Sequence, residues 1–179
     1  MHMRTKKWAK PELEVCPYFT NEPETKRGHW REQFKKDQPL YLELGCGKGV
    51  STAAMVRDNL DINYVAMDIT CNVLGDTRRN MEAAFAGEPI ENVIIARYDI
   101  SYIEKVFAPE DRVERIYINF CDPWPRSNQK KRRLTHGNFL QLYRRVLPLG
   151  GEIHFKSDND KLFEWSLEEI PRFGFRLSQ

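Results

Sequence analysis

"LYLELGCGKG", Leu40 to Gly49, decides how the rest of the chain is read. Its first half is a short apolar run, and it passes without a break into a loop with glycine at positions 45, 47 and 49. Glycine there lets the backbone turn sharply and lets a ligand approach main-chain atoms. The segment that follows, Val50 to Leu60, reads as a helix with Val50, Ala53, Val56 and Leu60 turned inward. A strand, a glycine loop and a helix in that order open an α/β sheet, provided the alternation continues.

It continues along the whole chain. "NYVAMDI" (63–69), "NVIIARYD" (92–99), "ERIYINF" (114–120) and "EIHFKSD" (152–158) read as further strands. Between them lie a helix carrying Val73, Leu74, Met81 and Phe85, a short helix at 103–107, and one carrying Phe139, Leu142, Tyr143, Val146 and Leu147, for which Thr135 is the expected N-cap. A helix over 162–170 and a sixth strand over 173–179 complete the pattern. The expected fold is a doubly wound, mostly parallel sheet flanked by helices, with the last strand of such a sheet apparently missing from these residues. Residues 1–38 are rich in Pro, Lys and Glu without periodicity and read as a basic, partly irregular arm with a short helix near 30–34; residues 39–179 form the domain.

A chain of 179 residues with 41% hydrophobic content holds one real core. No apolar run approaches the roughly 18 residues of a membrane span and no signal peptide precedes the fold, so a cytoplasmic protein without a membrane partner is expected. Cys16, Cys46, Cys71 and Cys121 are widely spaced, which argues for free thiols and against a metal site; Cys46 and Cys121, each after a strand, are candidate neighbours. A net charge of +2 makes no case for nucleic acid by itself, but Arg126, Lys130, Lys131, Arg132 and Arg133 form a cluster with no acid among them.

In an open α/β sheet, ligands bind beyond the carboxyl ends of the strands. Glu43, Asp68, Asp99 and Asp122 stand at four successive strand ends here. A lone acid after a strand is commonly a cap or turn residue, but four together with the glycine loop point to a nucleoside cofactor. The GxGxG spacing departs from the dinucleotide pattern, and four carboxylates would repel a pyrophosphate. S-adenosylmethionine has no phosphate and carries amino groups that favour nearby acids.

"DPWPRSNQKKRRLT", Asp122 to Thr135, brings a carboxylate, a tryptophan between two prolines and the basic cluster into one loop. Trp124 either stacks on a substrate or anchors a turn stiffened by Pro123 and Pro125. With "DPWP", "KRRLT" and "HFKSDN" in this order, from the glycine loop to "LFEWSL", the chain resembles the bacterial tRNA (guanine-N7-)-methyltransferase family over about residues 38–176. The resemblance implies a Rossmann-like class I methyltransferase fold, S-adenosylmethionine as methyl donor, tRNA as partner and guanine 46 of its variable loop as acceptor. It assigns Glu43, Asp68, Asp99 and Asp122 to the cofactor and makes Asp122 the catalytic residue; Gly45 and Gly47 are cofactor-binding candidates from the glycine loop itself. The resemblance also gives the substrate Arg126 and Asp158, and makes Asn128, Gln129, Lys130, Lys131, Arg132 and Arg133 an RNA-contacting segment; Trp124 is a substrate-binding candidate from its place between the two prolines.

The family usually reads "DPWPKKRHEKRRLT", where this chain has Arg126, Ser127 and "NQK" (128–130), and the family's C-terminal Thr-x-Tyr-Glu motif is absent from these residues. A catalytically impaired RNA-binding protein is therefore the alternative; a small-molecule methyltransferase would leave the basic cluster without a purpose. A monomer or a homodimer is compatible with the sequence. Asp158 has a second reading as the cap of the helix over 162–170, and His154 reads as an ordinary strand residue.

Overall fold

A computed structural model describes residues 4–178. Five of its strands lie where the alternation places them: β2 (Leu40–Leu44), β3 (Asn63–Asp68), β4 (Val93–Arg97), β5 (Val113–Asn119) and β6 (Glu152–Lys156). A two-residue strand, β1 (Phe19–Thr20), adds an edge. All pairings are parallel, in the order β1-β4-β3-β2-β5-β6. From β2 the chain builds outward to β3 and β4, then crosses back to place β5 on the other side of β2. The strand order thus reverses between β2 and β5, and the loops after these two strands flank the crevice that the reversal opens.

Period-two alternation sends side chains into two layers. Leu40, Leu42 and Leu44 of β2 join Val65, Met67, Ile116 and Ile118 in one cluster, under α4 (Gly137–Val146) and the 3-10 turn Ile170–Phe173. Tyr64, Ala66, Val93 and Ile95 face the other cluster, under α1 (Ala9–Glu14), α2 (Val50–Asp58) and α3 (Cys71–Phe85). The last helix, α5 (Asp160–Glu169), follows β6. No helix among the described residues is long and apolar enough to cross a membrane.

Several expectations need correction. The stretch before residue 39, expected as a basic, partly irregular arm with a short helix near 30–34, has a 3-10 turn at Arg31–Gln33 and is packed onto the domain. It contributes α1 and β1 and inserts Trp30, fully buried, whose Nε1 donates to the Val106 carbonyl at 2.8 Å and whose ring stacks on Phe107. The Asp111 carboxylate accepts from the backbone N–H groups of Gly28, Trp30 and Ala108, which satisfies donors that burial would otherwise strand. In the leader, Lys6 pairs with Asp76 and Lys10 with Glu14.

Thr135 does not cap α4: it is buried against Ser166, 2.7 Å from its hydroxyl, and the ring of His136 accepts the N-cap bond from Asn138 N–H. Nor does Asp158 cap α5; Asn159 does, accepting from Leu162 N–H. Val50 and Leu60 are 66% and 52% exposed, because α2 ends at Asp58 and turns only Thr52, Ala53 and Val56 inward. The strand expected over 173–179 does not form: Phe173 closes a 3-10 turn, residues 175–178 have no regular structure, and residue 179 lies outside the described residues. Cys46 and Cys121 pack in different hydrophobic clusters, and all four cysteines are free thiols.

Candidate active site

The glycine loop is bound to the end of the neighbouring strand. Gly45 and Cys46 both donate backbone N–H bonds to the Met67 carbonyl, at 2.9 and 3.0 Å, and Gly47 N–H donates to the Asp68 carboxylate at 3.2 Å. Gly45, Gly47 and Gly49 all have positive φ, which a residue with a Cβ adopts only at a cost. They serve different ends. A Cβ on Gly47 would meet nothing, because it points into the open cleft; a Cβ on Gly49 would lie 2.8 Å from Thr77 Cβ, so Gly49 lets α2 and α3 approach.

Beyond this loop lies a cleft of about 840 Å³, large enough for a nucleoside and a second small group. Asp68 at the end of β3, Asp99 after β4 and Asp122 after β5 all line it, with Gly45, Gly47 and Thr70. Ile69, Leu134, Phe139, Phe120 and Trp124 supply apolar walls, and Lys131 and Arg132 reach in from the basic segment. Burial pushes the Asp68 carboxyl above its usual range, and the nearby Asp122 carboxylate pushes it further the same way. Asp99 also accepts from Ser101 N–H at 2.9 Å, so it shapes its own turn while facing the cleft. The Thr70 hydroxyl is buried without a hydrogen-bond partner.

The comparison with known proteins fits this geometry. The family described as "Putative methyltransferase" matches residues 37–176. The chain is 49% identical over 179 residues to the tRNA (guanine-N(7)-)-methyltransferase of Clostridium beijerinckii and 47% identical to that of Clostridium botulinum, in each case over 99% of this chain and 82% of the relative. The chain belongs to the tRNA (guanine-N(7)-)-methyltransferase family. Among solved structures, an antibiotic-related methyltransferase superposes with a TM-score of 0.55 at 14% identity, over 100% of this chain and 79% of that one, a likeness of fold.

Within this family member, the residues expected at the site divide into three groups. Asp68, Asp99, Asp122, Gly45, Gly47, Trp124, Lys131 and Arg132 converge on the cleft. Glu43 does not line it. It is only 3% exposed, its carboxylate accepts from the Thr52 hydroxyl and from Asn119 Nδ2 at 3.1 Å, and burial raises its pKa. Glu43 thereby ties β2 to α2 and to the last residue of β5, from which the Asp122 loop departs. Arg126, Asn128, Lys130 and Asp158 are solvent-exposed and Gln129 is half-buried; all lie outside the cleft wall.

Arg133 is the third case. It is 6% exposed; its Nε donates to the Pro123 carbonyl at 3.0 Å, its Nη2 to the Trp124 carbonyl at 3.1 Å, and its guanidinium lies over the Trp165 ring. It straps the loop and is turned away from solvent, and with it from any RNA backbone. The neighbouring Arg132 is exposed, with its guanidinium 5.0 Å from the centre of the Trp124 ring. Trp124 is half-buried with φ of 43°, so it walls the cleft and is not sunk in the core. The apolar wall residues Phe120, Ile69, Leu134 and Phe139 escape sequence reasoning, since only the position of Ile69 and Phe120 at strand ends hints at the cleft.

The donor set suits a nucleoside bearing amino groups. Carboxylates at three strand ends can accept from hydroxyl and amine donors, Gly47 leaves room for close approach, and the unpaired Thr70 hydroxyl can bond a further polar atom. The Gly47 N–H, which would face an anion, is already taken by the Asp68 carboxylate.

Proposed function

We propose that this chain transfers the methyl group of S-adenosylmethionine to N7 of a guanine in tRNA, guanine 46 of the variable loop. The observation that carries the reading is the meeting of Asp68, Asp99, Asp122 and the glycine loop with Lys131 and Arg132 around one cleft at the reversal of strand order. S-adenosylmethionine, when bound, supplies a methyl group activated by its positively charged sulfur. Asp68 would accept from the ribose hydroxyls and Asp99 from an amino group, and Gly45 and Gly47 would admit the ligand to the backbone.

Guanine N7 carries no proton and presents an in-plane lone pair. With the cofactor held by Asp68, Asp99 and the glycine loop, that pair would accept the methyl group while the S–C bonding electrons would leave with sulfur, so no general base would be required of the protein. Asp122, exposed at the cleft after β5, orients the base through its N–H donors and offsets the positive charge that N7 gains. Trp124 walls the base site. Arg126, Lys130, Lys131 and Arg132 hold phosphates beside it, with Asn128 and Gln129 on the same 3-10 segment, Ser127–Arg132. Asp158, on the loop after β6, gives a second carboxylate to the substrate. Glu43 acts through Asn119 by holding the end of β5 in place.

Incubation with methyl-labelled S-adenosylmethionine and a tRNA transcript, followed by digestion to nucleosides, tests the reading. Label in 7-methylguanosine is expected; a cofactor-binding protein that transfers no label to tRNA would overturn it.

A further inference from the structure

Phe120 is built against the ordinary rules of its position. Strand alternation would put its side chain on the face of Ile116 and Ile118, inside the core. Its backbone instead takes φ of 52°, a region in which a bulky residue is a genuine outlier, while its N–H is held to the Lys156 carbonyl at 2.9 Å. The result is a phenyl ring 58% exposed that lines the cleft two residues before Asp122. Exposing a large apolar ring and straining its backbone both disfavour the folded state, and such strain persists where function uses it.

Among the described residues no aromatic or cationic group lies over the Phe120 ring, whereas Arg132 lies over the ring of Trp124. Nucleobases stack on aromatic faces, and an aromatic face also attracts a cation. We propose that Phe120 is the platform on which the target guanine stacks, held so that its face meets the positive charge that develops on the base during methyl transfer. The inference rests on the guanine reading above and adds the residue that binds the face of the base, where Asp122 binds its edge.

Three variants test it, each assayed for methyl transfer to tRNA, for S-adenosylmethionine affinity by calorimetry and for thermal melting. Phe120→Leu removes the aromatic face, Phe120→Asn removes it while suiting the left-handed backbone, and Phe120→Tyr retains it. The expected result is a drop of about five- to a hundredfold in kcat/KM for the Leu and Asn variants, within the range of base–aromatic stacking. Phe120→Tyr should stay within about threefold of wild type, with cofactor affinity unchanged throughout and Phe120→Asn melting no lower than wild type. Wild-type activity together with an unimpaired Phe120→Leu or Phe120→Asn would overturn this inference alone, as would a loss confined to cofactor affinity. A wild-type chain that binds cofactor and leaves tRNA unmethylated would overturn the guanine reading and this inference with it.

Discussion

The guanidinium of Arg133 reaches back nine residues to the carbonyl of Trp124, at 3.1 Å, and one residue further to that of Pro123. Two donors in a fixed fork close the loop that carries Asp122. A lysine ammonium carries its donors on a single nitrogen and cannot reproduce the planar fork. Arg133→Lys should therefore lower stability by about 1.5–3 kcal/mol, the range for hydrogen bonds to a charged group, and should lower kcat with it. Arg132→Ala, at an exposed neighbour, should leave the melting temperature unchanged. Paired melting curves and single-turnover rates check both.

Asp68 predicts a pH dependence of defined sign. Its folded-state pKa is raised by burial, which outweighs the backbone N–H bonds of Thr70, Gly47 and Ile69 that lower it, with a smaller upward push from Asp122; its contribution to the stability of the free protein is therefore full below the unfolded pKa and lost as pH rises through the folded one. Cofactor binding runs the other way, because the carboxylate is the form that accepts from ribose hydroxyls. Affinity for S-adenosylmethionine should hold at neutral pH and fall at a pH above the ordinary aspartate range. Asp68→Asn should abolish that step, and Asp122→Asn should move it to lower pH. Calorimetric titrations across the acid range read all three.

Gly47 and Gly49 share a backbone conformation and differ in their surroundings. Gly49→Ala adds a collision with Thr77 to the strain of positive φ and should cost about 2–4 kcal/mol. Gly47→Ala, facing open cleft, should cost about 1 kcal/mol and weaken cofactor binding instead. Chemical denaturation alongside calorimetry distinguishes the two.

Lys131 and Arg132 are exposed cations that line the cleft, and Lys130 is an exposed cation beside them in the same 3-10 segment. If each meets a phosphate, replacing all three by alanine should flatten the log–log salt dependence of tRNA binding by about 2, from roughly 0.7 per contact on single-stranded RNA. An unchanged slope would assign these side chains to solvent.

The sheet was legible because β2 to β6 are segments of five to seven residues rich in apolar and β-branched side chains, each ending at or followed within three residues by an acid or a glycine, signals carried by neighbours in sequence. β1 was not, since two residues pairing with β4 leave no periodicity. Trp30 was read within an irregular arm because its partners, Val106, Phe107 and Asp111, lie far along the chain. The acids of the site were found by their places at strand ends, yet sequence could not separate Glu43, which holds β5, from Asp68, which faces the cleft. Arg133 looked like one more cation in a run; only the fold turns it inward. The same limit hid Phe120, whose exposure depends on one backbone torsion.

The most direct test of the central claim replaces the acceptor atom. A tRNA assembled with 7-deazaguanosine at position 46 keeps its shape, charge and pairing edge and lacks only N7. With labelled S-adenosylmethionine, the account predicts full transfer to the unmodified tRNA and background transfer to the deaza tRNA, with equal affinity for both. Equal label in the two RNAs would contradict it.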